Sequence, residues 1–263
     1  MKVTIACGQF TPKPGDGAAN LRTIAAQARE AARRGAAVLV LPELCLCGYP
    51  EPAAARQRAV DTRSADILQV AECARAEGIA LCVGFAERDG DTLFNSMLYI
   101  DDTGSIRAVY RKVHLWLSEK AWAVPGLGFS GFEPGPRTPG LRAGMWICYD
   151  TRFPECARTL ARDGVTLGLA GSAWFGPAEE WELAVRARAL DNGMYVAAAA
   201  VQGSFAGAPF HGGSLIVDPH GRVLARGGEG REEVICAEYD SGEVERFRAR
   251  VPLLSDLRPG AYA

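Results

Sequence analysis

The sequence predicts a layered α/β fold, and three observations carry that expectation. Short apolar runs recur along the chain in the manner of buried strands. Stretches of helical period separate most of them. Glycine or proline marks the joins, and no repeat or low-complexity linker divides the chain. With 263 residues, 48% hydrophobic and 23% charged, the chain can bury a substantial core and lacks the composition of a disordered protein.

Taken in order, residues 3–9 read as a first buried strand. Asp16 can cap a helix that runs to about Arg34, with Leu21, Ile24, Ala25, Ala28 and Ala32 on one apolar face and Gly35 ending it. Residues 36–41 form a second strand. A helix over about 64–77, closed by Gly78, leads into a strand at 79–86. Residues 93–100 and 106–111 predict a hairpin around Asp101-Asp102-Thr103-Gly104. A loop rich in glycine, proline and aromatics occupies about 117–140. Beyond it come a strand at 144–147, a helix at 154–162, a strand at 165–170, a helix at 178–192 and a strand at 195–201. Strands at 213–217, 223–226 and 233–238 complete the pattern.

Composition excludes several classes of function. The formal net charge is −2 and no basic stripe is visible, so nucleic acid is not an expected partner. The N-terminus has no long apolar region, and no apolar run is long enough to span a bilayer. The expectation is a soluble cytoplasmic protein. Eight cysteines include Cys45 and Cys47, but no second pair or neighbouring histidine completes a zinc site. Only His114, His211 and His220 are available as histidine ligands. Neither a metal centre nor a disulfide scaffold is expected. Of 29 basic residues, 25 are arginine. Where lysine persists, at 2, 13, 112 and 120, its compact ammonium is a possible reason.

Three residues stand out chemically. Cys148 ends the apolar run Ala143-Gly-Met-Trp-Ile147, and a turn then leads to Pro154 at the start of a helix. Strand, sharp turn and helix is an arrangement that displays a nucleophile, and a helix N-terminus eases thiol ionisation. Glu43 follows the strand Val38-Leu-Val-Leu41, which Pro42 stops. Lys112 follows the strand at 106–111. Taken singly, these read as a structural cysteine and two solvated charges. Together, a thiol, a carboxylate and an ammonium at three strand ends form an acyl-transfer set. The carboxylate takes the thiol proton and the ammonium steadies the oxyanion.

The motifs around these residues resemble the nitrilase superfamily of carbon–nitrogen hydrolases. The glutamate motif matches Leu41-Pro-Glu43-Leu, with Gly48-Tyr49 downstream. The lysine motif matches Tyr110-Arg-Lys112-Val-His-Leu115. The cysteine motif matches Ile147-Cys148-Tyr-Asp150-Thr-Arg152-Phe-Pro-Glu155. Further similarity covers 186–192, 213–221 and 251–259. One departure is Asp191, where the family usually has glutamate before Asn192.

The resemblance implies a four-layer αββα sandwich formed by one domain over 1–263. It also implies a homodimer, with a C-terminal tail of about 244–263 contacting the partner subunit. It adds Glu119 as a second site glutamate that helps position substrate. Asp150, Arg152 and Glu155 are expected to brace the turn, and His114 to stand beside the site as a structural residue. Tyr149 is expected to offer its backbone N–H to the oxyanion. Tyr49, Trp116, Trp174 and Phe175 are candidate pocket walls. The implied activity is hydrolysis of a small linear amide to acid and ammonia through a thioester, with no metal or cofactor. An N-carbamoyl amine hydrolase, a nitrilase and a catalytically silent binding protein are the alternatives.

Overall fold

The chain is described here from a computed structural model, over residues 1–261. In order, its elements are β1 (Lys2–Gln9), α1 (Gly17–Arg33), β2 (Ala36–Val40), α2 (Pro52–Arg58), α3 (Ala65–Glu77), β3 (Ala80–Asp89), β4 (Thr92–Ile100) and β5 (Ile106–Arg111). There follow β6 (Gly131–Phe132), β7 (Ala143–Ile147), α4 (Pro154–Arg162), β8 (Leu167–Ser172), α5 (Ala178–Leu190) and β9 (Tyr195–Ala200). The last are β10 (Gln202–Phe205), β11 (Ala208–His211), β12 (Leu215–Val217), β13 (Val223–Arg226), β14 (Glu233–Asp240) and α6 (Ser241–Arg250).

Two six-stranded sheets result. One runs β14-β1-β2-β3-β4-β5 and the other β13-β12-β9-β8-β7-β6. The cores are parallel: β1, β2 and β3 in the first sheet, β7, β8 and β9 in the second. Their flanks are antiparallel. The sheets pack face to face, β1 on β9, β2 on β8 and β4 on β7.

Period-2 alternation decides which side chain enters which layer. Ile5, Cys7, Val38, Val40, Ala80, Cys82, Met97 and Tyr99 point between the sheets, where the Cys82 and Met145 sulfurs meet at 3.5 Å. Their neighbours Ala6, Leu39, Leu81, Val83 and Leu98 point outward, against Ile24, Ala28 and Ala31 of α1 and Ile67, Val70 and Ala74 of α3. On the far side, Trp146 joins Cys156, Ala157 and Leu160 of α4 and Trp181, Val185 and Ala189 of α5. This is the expected αββα sandwich. The helix ends obey local chemistry. Asp16 and Ser64 accept from the N–H groups of Ala19 and Ile67, and Gly78 closes α3 with φ 62°.

Several expectations need correction. The buried stripe of α1 runs through Asn20, Ile24, Gln27, Ala28 and Ala31, whereas Leu21, Ala25 and Ala32 are half-buried. Asn20 can go inside because its amide bonds the carbonyls of Lys13 and Leu46. Strand β3 continues past 86 to Asp89 and forms a hairpin with β4. Its charges hid the continuation: Glu87 is buried, but Arg111 pairs with it at 2.6 Å and Ser96 donates to it. The short elements α2, β6, β10 and β11 lacked a legible period. Of the expected tail, residues 244–250 lie in α6, whose Val244 and Phe247 are buried. Arg248 of that helix donates to the carbonyls of Val165, Asn192 and Gly193. Residues 262 and 263 of the tail lie outside the described residues.

Two glycines hold open the space after β2. A Cβ on Gly84 would lie 2.5 Å from both the Pro42 carbonyl oxygen and the Leu44 nitrogen. A Cβ on Gly171, in the other sheet, would lie 3.0 Å from the nitrogen of Glu43. Thus the Pro42–Leu44 backbone passes between glycines of both sheets. Gly84→Ala should cost about 1–3 kcal/mol, as overpacking does, and lower the melting temperature by several degrees. Gly128→Ala, with open space around its Cβ, is the control. Equal melting temperatures for the two variants would contradict this reading of the passage.

Candidate active site

Lys112 and Cys148 follow directly on β5 and β7 and Glu43 lies three residues past β2, all at the strands' C-terminal ends. The ends of β2 and β5 belong to one sheet and that of β7 to the other, so the site forms where the two sheets face each other. Glu119 lies in a short 3₁₀ turn, Leu117–Ala121. All four side chains are buried, with Glu43 at 1% exposure, Lys112 and Glu119 at 0% and Cys148 at 6%.

The Lys112 ammonium sits between two carboxylates. Its Nζ is 2.7 Å from Glu43 Oε1 and 2.8 Å from Glu119 Oε1. Backbone N–H groups complete the carboxylates: Ala173 donates to Glu43 Oε2 at 2.7 Å and Trp116 to Glu119 Oε2 at 2.9 Å. The Tyr49 hydroxyl donates to Glu119 Oε1 at 2.9 Å.

Burial acts on these charges unequally. It is the largest influence on Glu43 and pushes its carboxyl up to about 7. Lys112 opposes that rise and Glu119 adds to it. Burial alone would lower Lys112, but the two carboxylates outweigh it and hold the ammonium above its ordinary value. Cys148 is pushed well above the ordinary thiol value, first by burial and then by the charge of Glu43, with Lys112 opposing. The easing expected of a nearby helix N-terminus is thus outweighed by burial, while the expected need for a carboxylate to take the thiol proton stands as a proposal. Burial and the Glu43 charge thus favour the protonated thiol, the form that calls for a base beside it.

The turn after β7 holds Cys148 at φ 45°, in the left-handed region, and Leu44 beside Glu43 is at φ 52°. Such conformations cost about 1–3 kcal/mol each and persist where surrounding bonds impose them. At Cys148 the imposing group is Asp150. It accepts from Tyr110 Oη at 2.6 Å, from the N–H of Ile147 at 3.0 Å and from the N–H of His114 at 2.9 Å. Its Oδ1 also lies 2.8 Å from His114 Nδ1. The His114 ring stacks on Phe153 at 3.6 Å. Arg188 bonds the Thr151 carbonyl at 3.2 Å and lies 3.3 Å from Asp191, so the shorter acid still reaches its arginine. Arg152 turns outward to Glu180 and the face of Trp174. Glu155 is exposed and braces nothing among the described residues.

A narrow cleft of only about 10 Å³ opens at Cys148, lined by Trp116, Tyr149, Arg152, Trp174 and Phe175. Tyr49 is not on its wall. It packs among Phe175, Phe205 and Phe210 and holds Glu119. Sequence reasoning missed Asn95, on β4, which is fully buried and donates to both Glu43 and Glu119. A signal was present. Asn95-Ser96 is a polar pair within the otherwise apolar run Leu93-Phe-Asn-Ser-Met-Leu-Tyr-Ile100. The Ala173 N–H was also missed, and a backbone donor leaves no such trace.

A buried thiol, two carboxylates and an ammonium, set between two sheets covered by helices, define a cysteine hydrolase of the αββα class. The family model for carbon–nitrogen hydrolases matches residues 4–249. The chain belongs to the carbon–nitrogen hydrolase family. It is 34% identical to the 2-oxoglutaramate amidase of Bacillus subtilis, over 100% of both chains. It is 32% identical to the omega-amidase NIT2 of Mus musculus, over 92% of this chain and 91% of that one. Among solved structures it is similar to a variant of the amidase from Nesterenkonia sp. AN1, with TM-score 0.87 and 28% identity. That similarity covers 99% of this chain and 95% of the other, in which the acetamide moiety of fluoroacetamide is covalently added at the active-site cysteine.

Proposed function

We propose that the protein hydrolyses a small linear amide to carboxylic acid and ammonia, with Cys148 as nucleophile, Glu43 as proton acceptor and donor, and Lys112 as oxyanion stabiliser. The observation that carries this is the Lys112 ammonium buried between Glu43 and Glu119, with their charges acting on the Cys148 thiol. As the Cys148 sulfur bonds the carbonyl carbon, its proton passes to Glu43. The oxyanion meets the Tyr149 N–H, one of the unsatisfied donors at the start of the 3₁₀ turn Cys148–Arg152. Lys112 has three N–H donors and commits two to carboxylates, which leaves one for the oxyanion. Glu43 then returns the proton to the leaving nitrogen, ammonia departs and a thioester remains. Water attacks the thioester while Glu43 takes a proton from it. The acid leaves and the thiol is restored.

A carboxyl that titrates near 7 suits this exchange, because it can both accept and return a proton at neutral pH. The small cleft favours a short acyl group, and its aromatic walls favour a partly apolar one. Glu119 acts as counter-charge to Lys112 and so helps position substrate, while Tyr49 acts through Glu119. The covalent chemistry of the Nesterenkonia enzyme's cysteine and the amidase names of the relatives support the same reading.

We also read the protein as cytoplasmic and homodimeric. None of its eight cysteines is paired, as in a reducing compartment. No helix among the described residues is long and apolar enough to cross a membrane. Leu183 and Leu190, seven residues apart on α5, are exposed together with Leu224 of β13, which suits a face covered by a second copy.

Cys148→Ala should abolish ammonia release from a panel of short amides with the fold retained. In the wild type, kcat/KM should fall as pH drops through about 7, because protonated Glu43 cannot accept the thiol proton. Activity of Cys148→Ala within tenfold of wild type, or a flat profile across that range, would sink the assignment. Cell fractionation followed by sedimentation should find a cytosolic species of about twice 28.1 kDa; a membrane-bound or monomeric protein would overturn that part.

A further inference from the structure

Asn95 is a residue no part of the proposed chemistry requires. It sits on β4 with its side chain at 0% exposure. Its Nδ2 donates to Glu43 Oε1 at 2.7 Å and to Glu119 Oε1 at 3.1 Å. Those are the same two oxygens that Lys112 Nζ bridges. An ammonium and an amide NH₂ therefore close a ring with one oxygen from each carboxylate. The opposite amide orientation would point a carbonyl at two carboxylates, so the NH₂ must face them. Asn95 Oδ1 is buried without a hydrogen-bond partner in the protein, a cost that a residue present only for packing would not carry.

Counting lone pairs gives this ring a consequence. A carboxylate oxygen offers two acceptor sites. On Glu43, Oε1 has both taken, one by Lys112 and one by Asn95. Oε2 has one taken, by the Ala173 N–H, and one free. The Ala173 carbonyl in turn lies 3.6 Å from Cys148 Sγ, so Oε2 is tied to the same residue that touches the thiol. On Glu119, Oε1 takes Lys112 at 2.8 Å and Tyr49 at 2.9 Å, which fill its two sites, and the longer Asn95 contact at 3.1 Å shares one of them, while Oε2 accepts from the Trp116 N–H.

We infer that Asn95 is a positioning residue that, with Lys112, saturates Oε1 of Glu43 and leaves Oε2 as the atom that takes the Cys148 proton. This rests on the reading of Glu43 as the base. The proton moves from Sγ to Oε2 as the S–C bond forms, and it leaves from Oε2 to the departing nitrogen. By donating to the ionised carboxylate, Asn95 also holds Glu43 lower than burial alone would set it. Glu119, held by Lys112, Asn95, Tyr49 and the Trp116 N–H, serves as the fixed counter-charge.

The test compares Asn95→Leu, which removes both donations and keeps the branching and heavy-atom count of the side chain, with Asn95→Ser, which keeps one hydroxyl donor in a smaller side chain. Losing a hydrogen bond to the charged form raises a carboxyl, so the acid limb of kcat/KM should move up by about one pH unit in Asn95→Leu. It should move by less in Asn95→Ser, and kcat should fall about tenfold or more in Asn95→Leu with KM little changed. The pH dependence of Cys148 alkylation by iodoacetamide should move in parallel, and it remains readable in a variant too slow to assay. An unmoved limb in both variants, with activity loss tracking thermal stability, would reduce Asn95 to a packing residue and overturn the inference. Glu43→Gln, measured beside them, separates the two levels. Wild-type turnover in that variant would remove Glu43 as the base, whereas an inactive Glu43→Gln with unmoved Asn95 variants would overturn the role of Asn95 alone.

Discussion

One interaction organises this site: a lysine ammonium taken fully out of water between two carboxylates. Burying isolated ions costs several kcal/mol each, and the attraction between them offsets that only when geometry and extra hydrogen bonds are good. Here both conditions hold, because Asn95 and Tyr49 add donors to the oxygens that Lys112 bonds, and two backbone N–H groups satisfy the oxygens it leaves open. The set still holds one more negative charge than positive when fully ionised. That excess and the lost solvation make Glu43 hesitate between its two forms near neutrality, while Lys112 stays charged. The three members therefore have unequal duties from one arrangement.

The rest of the molecule can be understood as holding that arrangement still. Glu43 and Lys112 end strands of one sheet and Cys148 a strand of the other, so face-to-face packing of the sheets sets their mutual position. The glycines at 84 and 171 let the Glu43 backbone pass between the sheets. Asp150 then holds the turn that carries Cys148 at positive φ by drawing in Ile147, His114 and Tyr110. Strain at Leu44 and Cys148 is thus stored on either side of the cluster, in a region dense with hydrogen bonds.

Much of this was legible in the sequence, and the reasons are physical. Apolar runs with helical stretches between them specify layers, since each strand needs cover on both faces. Glu43, Lys112 and Cys148 could be picked out because each interrupts an apolar strand at its end, where polar residues have a reason to be. Asn95 escaped because it lies inside a strand, where its side chain's direction decides everything and sequence gives only its period. Gly84, within Val83-Gly-Phe85, carried the ordinary signal of close backbone approach, but nothing in the sequence says what approaches. How strongly Cys148 holds its proton was not legible for a related reason. A nearby helix start is local and visible, whereas complete burial and the charge of Glu43, far away in sequence, are not.

The claim that matters most is that the cluster needs a compact ammonium which reaches two carboxylate oxygens and the oxyanion at once. The guanidinium of arginine keeps the charge but is larger, planar and differently directed. In this chain arginine supplies 25 of the 29 basic side chains, yet lysine stands at 112. The direct measurement is kcat of Lys112→Arg on the best amide substrate, with circular dichroism to verify the fold. The expected result is a fall of about 10²-fold or more, the scale of losing one preorganised oxyanion donor. A folded Lys112→Arg enzyme that keeps more than half of the wild-type kcat would contradict it.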